Sequence, residues 1–221
     1  MKAISLDAAG TLFDLAEPVG AVYARFGLQA GFTLDPQDVE DRFRSAFGKL
    51  PAPDYTLHSD GHTCERAWWR ELVLQATRIP AGEAFERFFN QLFNHYEQAQ
   101  AWRLYDDTLP FLKETSAQYP LAVVSNFDDR LHPVLAGLGL SPFFQVVVSS
   151  SQAKSSKPAP KIFQTALHQL ALPPSEVLHI GDSLTADYNG ARESGMQAFH
   201  LQRGKGETLY SALTRSLSSD R

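Results

Sequence analysis

From Tyr119 onward the chain alternates short, continuous apolar runs with stretches of helical periodicity, and this alternation restricts the possible folds most severely. Leu121-Ala-Val-Val-Ser125, Phe143 to Val148, Glu176 to Ile180 and Gln197 to Leu201 read as strands. Helical patterns separate them, from about Asp129 to Leu138, from about Pro160 to Ala171, and from Thr185 to Ser194. Strands that are apolar on both faces must be covered on both faces, which is how crossover helices bury a parallel sheet. The expected fold class is therefore α/β, with a parallel sheet as its core. Ala3-Ile4-Ser5-Leu6 supplies one more strand at the start of the chain.

Between about Leu15 and Trp102 the period changes. Phe85, Phe88, Phe89, Leu92, Phe93 and Tyr96 recur at three- and four-residue steps, and Trp68, Trp69, Leu72 and Val73 do the same on a preceding helix. Such a stripe is the apolar face of a packed helix rather than a ligand box. Gly48 to His62, with Pro51, Pro53 and Gly61, reads as a loop, and no strand is visible in the block. Residues 1–14 and 103–221 are thus expected to form an α/β core interrupted by an all-helical insert over 15–102. Ligands of open parallel sheets bind outside the carboxyl ends of the strands. An insert leaving just past the first such end would hang over that site. The tail after Thr214 is expected to fray.

With 221 residues the chain can hold one ordinary domain, or a core with a smaller insert. Its formal charge is -5, and Lys154 and Lys157 are too few to make a basic patch, so no nucleic-acid partner is expected. The single cysteine, Cys64, has no partner for a disulfide or a metal site, which suits a reducing compartment. There is no charged-then-apolar leader, and no apolar run approaches the ~20 residues needed to span a bilayer. The expectation is a cytoplasmic protein without membrane contact; the oligomeric state is left open.

The chemistry gathers at the strand ends. Asp7 closes the first strand and is followed by Gly10 and Thr11, a placement that suits a nucleophile and equally a turn with a helix cap. Ser125 and Asn126 end a second strand, where a hydroxyl and an amide can hold phosphoryl oxygens. Lys157 precedes Pro158-Ala159-Pro160, so its backbone is driven extended just before a helix, and its charge is available to a nucleophile and a phosphate. Asp182 follows the run Val177 to Ile180, and Asp187 lies about one turn into the next helix. Together with Asp7 they offer hard oxygen ligands suited to Mg2+. Each feature alone has a structural reading; their joint occurrence, in order, at successive strand ends decides for function.

The stretches LDAAGTLFD, VVSNFDDR, KPAPKIF and IGDSLTAD make the chain resemble the haloacid dehalogenase (HAD) superfamily over essentially its whole length. The resemblance implies a Rossmann-like core with a C1-type helical cap. It also implies that Asp7 is nucleophile and Mg2+ ligand, that the Ala9 carbonyl and Asp182 are further ligands, and that Asp187 supports the metal. Thr11, Ser125 and Asn126 would bind the transferred group, and Lys157 would orient the nucleophile. The departure is Ala9, which stands where family phosphatases resemble one another in carrying the aspartate that serves as general acid and base. Such help is worth on the order of 10²–10⁴ in rate.

Four activities remain open at this point. The first is a Mg2+-dependent phosphatase of small phosphorylated metabolites with weak acid–base catalysis. The second is a phosphate-binding or signalling module with a long-lived aspartyl-phosphate. The third is a 2-haloacid dehalogenase, disfavoured because Asp182 is retained and Leu184 stands where those enzymes resemble one another in having asparagine. The fourth is a phosphonoacetaldehyde hydrolase, which would need Lys49 as a Schiff-base lysine. His58, His62 and His95 are other titratable groups of the insert, and none is selected by its sequence context.

Overall fold

The computed structural model describes residues 1–219, with side chains through Thr214. The chain divides into two compact units, Met1–Asp14 with Leu104–Arg221, and Leu15–Arg103. It begins with β1 (Ala3–Leu6) and β2 (Phe13–Leu15), continues through helices α1 (Val19–Gln29), α2 (Pro36–Phe47), α3 (Gly61–Thr77) and α4 (Glu83–His95), and reaches β3 (Trp102–Leu104). It then alternates: α5 (Thr108–Thr115), β4 (Leu121–Ser125), α6 (Leu131–Gly137), β5 (Val146–Ser149), α7 (Ser150–Ala153), α8 (Pro160–Leu170) and β6 (Val177–Gly181). A wide helical turn at Leu184–Asn189, α9 (Gly190–Glu193), β7 (Gln197–His200) and α10 (Leu209–Ser219) complete the order. The helix α10 covers the start of the tail expected to fray, while Asp220 and Arg221 lie outside the described residues.

In the α/β unit five parallel strands lie in the order β5-β4-β1-β6-β7. The three central strands are buried at every position, whereas the two edge strands each keep partly exposed residues. This is why the central runs are continuously apolar: each side chain faces a helical layer. Beneath β4, β5 and β6, the α8 residues Ile162, Phe163, Ala166, Leu167 and Leu170 share one core with Val124, Val146, Val148 and Val177. Two polar residues interrupt the pattern, Ser5 on β1 and His179 on β6, and the register pairs them with each other.

The helical unit is held by its aromatic stripe. Phe85, Phe88, Phe89, Leu92 and Phe93 of α4 pack with Val19, Val22 and Tyr23 of α1 and with Val39, Val73 and Ala76. Tyr23 meets Phe88 edge to face at 6.3 Å and 88°, a favourable aromatic geometry. Asp35 and Asp60 cap α2 and α3 by accepting from Asp38 N at 2.9 Å and Thr63 N at 2.7 Å. Among the described residues no helix is long and apolar enough to cross a membrane.

Three expected elements are corrected. The strand expected from Phe143 starts at Val146, because Ser141–Phe143 with Pro142 form a 3-10 turn instead. The helix expected over Thr185–Ser194 opens as a π turn in which Tyr188 N reaches Ser183 O at 3.1 Å. The insert is also not free of strand: Leu15 and Trp102 belong to β2 and β3, which pair as a separate two-stranded sheet.

Candidate active site

Asp7 extends the β1–β6 ladder by one bond, its N–H donating to Ile180 O at 2.9 Å, and the chain then turns sharply. The Ala8 carbonyl accepts from Thr11 N, Leu12 N and Phe13 N at 3.2, 2.7 and 3.3 Å. Gly10 takes φ +83°, a conformation that favours glycine, and a Cβ there would lie 2.6 Å from Asp182 Oδ2 and push that carboxylate aside. The turn is fixed from behind: Arg203 donates to the Thr11 carbonyl at 2.5 Å, and Thr108 Oγ1 donates to the Leu12 carbonyl at 2.6 Å. Arg203 is itself held by Asp107 at 2.7 Å and lies over the Tyr105 ring at 4.2 Å.

The expected residues converge. Oxygens of Asp7, Asp182 and Asp187 all lie within 4.8 Å of one another. Lys157, 5% exposed, donates its Nζ to Asp7 Oδ1 at 2.6 Å, Asp187 Oδ1 at 2.5 Å and the Val124 carbonyl at 2.8 Å, which uses all three protons. The Ser125 hydroxyl adds a hydrogen bond to Asp7. The peptide Lys157–Pro158 is cis, and α8 begins at Pro160.

Two residues have partners other than those implied. Asn126 clamps the Lys157 backbone from both sides, its Nδ2 donating to Lys157 O at 2.9 Å while its Oδ1 accepts from Lys157 N at 2.6 Å. Thr11 is fully buried, and its hydroxyl points at Asp182 Oδ1 from 3.5 Å. Among the described residues no backbone N–H donates to the Ala9 carbonyl. Lys49, His58, His62 and His95 belong to the helical unit.

The carboxylates differ in electrostatics because they differ in donors. Asp187 has three donors: Oδ1 accepts from Lys157 and from His179 Nε2 at 3.1 Å, and Oδ2 accepts from Ser183 N at 2.9 Å. Burial opposes its charge, but Lys157 and His179 outweigh burial and hold it well below the usual carboxylate range. Asp7 is pushed up by burial first, against the Lys157 charge, with the Asp187 charge adding to the rise. Asp182, although an exposed residue, is raised to about 6 by desolvation and by the charges of Asp7 and Asp187. Burial alone would discharge Lys157; Asp187 and Asp7 reverse this and raise it.

Three carboxylates therefore face one ammonium, and two of the three are disfavoured as anions. Three such oxygens so close together could hold a hard divalent cation. Sequence reasoning missed His179, Ser5, Asp107 and Arg203. The first two were visible as polar residues inside apolar runs. Arg203 and Asp107 sit in stretches with no pattern that marks them.

Residues 1–195 match the haloacid dehalogenase-like hydrolase family. The chain belongs to this family of hydrolases. It is 35% identical to the mouse haloacid dehalogenase-like hydrolase domain-containing protein 3, over all of this chain and 88% of that one. Among solved structures it resembles a HAD phosphatase from Thermococcus onnurineus at 26% identity and TM-score 0.65, covering 92% of this chain and 87% of that one. YfnB of Bacillus subtilis, solved bound to magnesium, is similar in fold at 21% identity and TM-score 0.65, covering 90% of this chain and 88% of that one.

Proposed function

We propose that the chain is a Mg2+-dependent hydrolase of small phosphorylated molecules that works through an aspartyl-phosphate on Asp7. The observation that carries this reading is the unbalanced cluster of three carboxylates and one lysine at the strand ends. Asp7, Asp182 and the Ala9 carbonyl would hold the ion, with Asp187 behind them. When bound, Mg2+ supplies positive charge against the carboxylates and the phosphoryl oxygens. A halide-releasing enzyme has no use for Asp182 placed against Asp7 at the cost of raising both, and this favours phosphoryl transfer.

In the first half-reaction the Asp7 oxygen not held by Lys157 attacks phosphorus, and the ester P–O bond breaks with its electron pair leaving on the alcohol oxygen. Lys157 keeps the nucleophile oriented and charged, and the Ser125 hydroxyl holds the same carboxylate. The leaving oxygen takes its proton from water, since Ala9 has none to give. In the second half-reaction water attacks phosphorus, releases phosphate and restores the Asp7 carboxylate. Good leaving groups, such as aryl esters and acyl phosphates, are favoured for this reason. A metal-controlled panel of phosphate esters, phosphonoacetaldehyde and 2-chloropropionate tests the reading. Phosphate release that requires Mg2+ is expected; halide release without metal, or no phosphate release even from p-nitrophenyl phosphate, contradicts it.

A second reading rests on Ala9 alone. If dephosphorylation is slow, the phosphorylated form persists and the protein acts as a switch. The rate of loss of the phosphorylated form separates the two.

A further inference from the structure

His179 has no place in the chemistry proposed above, yet it is fully buried in the central sheet and bonded on both ring nitrogens. Its Nδ1 lies 2.8 Å from Ser5 Oγ, and its Nε2 lies 3.1 Å from Asp187 Oδ1. A carboxylate can only accept, so Nε2 is the donor to Asp187, and in the neutral ring Nδ1 accepts from the Ser5 hydroxyl. Ser5 and His179 face each other in the β1–β6 register, and the Phe163 ring packs edge-on against the imidazole at 5.3 Å. On the far side Asp187 Oδ1 accepts from Lys157, which in turn reaches Asp7. The Asp187 carboxylate also rests against Gly181, where a Cβ would come within 2.2 Å of its Cγ.

We propose that Ser5 and His179 are positioning residues: through Asp187 they fix where the Lys157 ammonium stands, and hence which Asp7 oxygen is left free to attack. Asp187 Oδ1 is shared between two donors, and Lys157 has four rotatable bonds that its own anchors must restrain. With the imidazole removed, Asp187 keeps Ser183 N on Oδ2 but loses the second donor on Oδ1, and only Lys157 then restrains that oxygen. Lys157 then follows it away from Asp7. A buried polar pair inside an otherwise apolar sheet has a desolvation cost, and fixing a catalytic lysine is what offsets it here. The kinetic part of this inference rests on the aspartyl-phosphate chemistry; the positional part does not.

The test compares His179→Leu, His179→Gln and Ser5→Ala in the full chain. The glutamine amide nitrogen can replace Nε2 as donor to Asp187, whereas leucine cannot. Two signals are read: the rate of Asp7 phosphorylation by acetyl phosphate with Mg2+, and the Lys157 ammonium resonance in ¹H–¹⁵N spectra, assigned by its loss in Lys157→Met. Leucine is expected to cut the rate roughly 10- to 100-fold, with KM within about twofold, and to shift or broaden the ammonium signal. Glutamine is expected to restore most of the rate and the signal, and Ser5→Ala to give a smaller loss in the same direction. A folded leucine variant with an unchanged ammonium resonance overturns the inference, as does a glutamine variant no better than leucine. Should leucine prevent folding, glutamine and Ser5→Ala decide it: unmoved rates and spectra in Ser5→Ala together with no Lys157 signal in folded His179→Gln overturn it. A wild type that is never phosphorylated overturns the proposed function, while the ammonium resonance still tests the positioning.

Discussion

Both units have an apolar core, and they differ in what else they bury. The helical unit fills its interior with Phe85, Phe88, Phe89 and Phe93, groups that gain stability from leaving water. The α/β unit buries Asp7, Lys157, His179 and Asp187 at and beside its strand ends, groups that are costly to desolvate and are tolerated only because each has a charged or hydrogen-bonding partner. One interior is optimised for stability. The other gives up stability to hold charge at the strand ends, where the proposed phosphoryl chemistry would use it. Substitutions should therefore separate cleanly, with stability lost in the first region and activity lost in the second.

The largest separation is expected at Asp7. Asp7→Asn should abolish turnover, yet leave the unfolding temperature unchanged or raised, because burial and Asp187 already disfavour the ionised form. Activity assay and calorimetry on one preparation check this, and a large drop in unfolding temperature would break the comparison. Next comes Ala9→Asp, which supplies the missing acid and base and should raise turnover of ordinary phosphomonoesters by about 10²–10⁴. The opposite pattern is expected in the helical unit. Phe88→Ala removes a fully buried ring that touches Tyr23 and Phe32, and should cost ~3–5 kcal/mol in denaturant unfolding. The folded fraction of that variant should still be phosphorylated on Asp7.

The smallest expected effect is a pH dependence. Asp182 is raised to about 6 in the folded protein, above the ordinary aspartate value of 3.8. A raised carboxyl is more easily protonated folded than unfolded, so this group favours the metal-free fold as pH falls through 6, and that contribution is lost as pH rises. Mg2+ needs the ionised form. The rise in unfolding temperature on adding Mg2+ should therefore be small at pH 5 and grow through pH 6 to a plateau above it. A shift that is the same at pH 5 and pH 7 would remove Asp182 from the metal site.

Much of this was legible in the sequence, for a physical reason. Central strands of a parallel sheet are covered on both faces, so Leu121–Ser125 announces itself as an apolar run ending on a serine, and Val177–Gly181 as one broken only by His179. The residues at their ends are read next, since that is where polar groups have room. Edges are harder: β5 begins at Val146 because the Pro142 turn precedes it, and turn geometry is local and weakly encoded. The π turn depends on Ser183 O accepting from both Asp187 N and Tyr188 N, and no periodicity shows that. The Asn126 clamp on Lys157 joins residues far apart in sequence, so the sequence shows two polar groups without showing that they bind each other.

In the proposed reaction Asp7 takes a phosphoryl group in a site that needs a divalent cation. The most direct measurement is intact-protein mass spectrometry after brief treatment with acetyl phosphate, with Mg2+ or with chelator, followed by mapping of the modified peptide. A gain of one phosphoryl group on Asp7 is expected with Mg2+, none with chelator, and none in Asp7→Asn. No gain under any condition, or a gain on Asp7 that is indifferent to Mg2+, would contradict it.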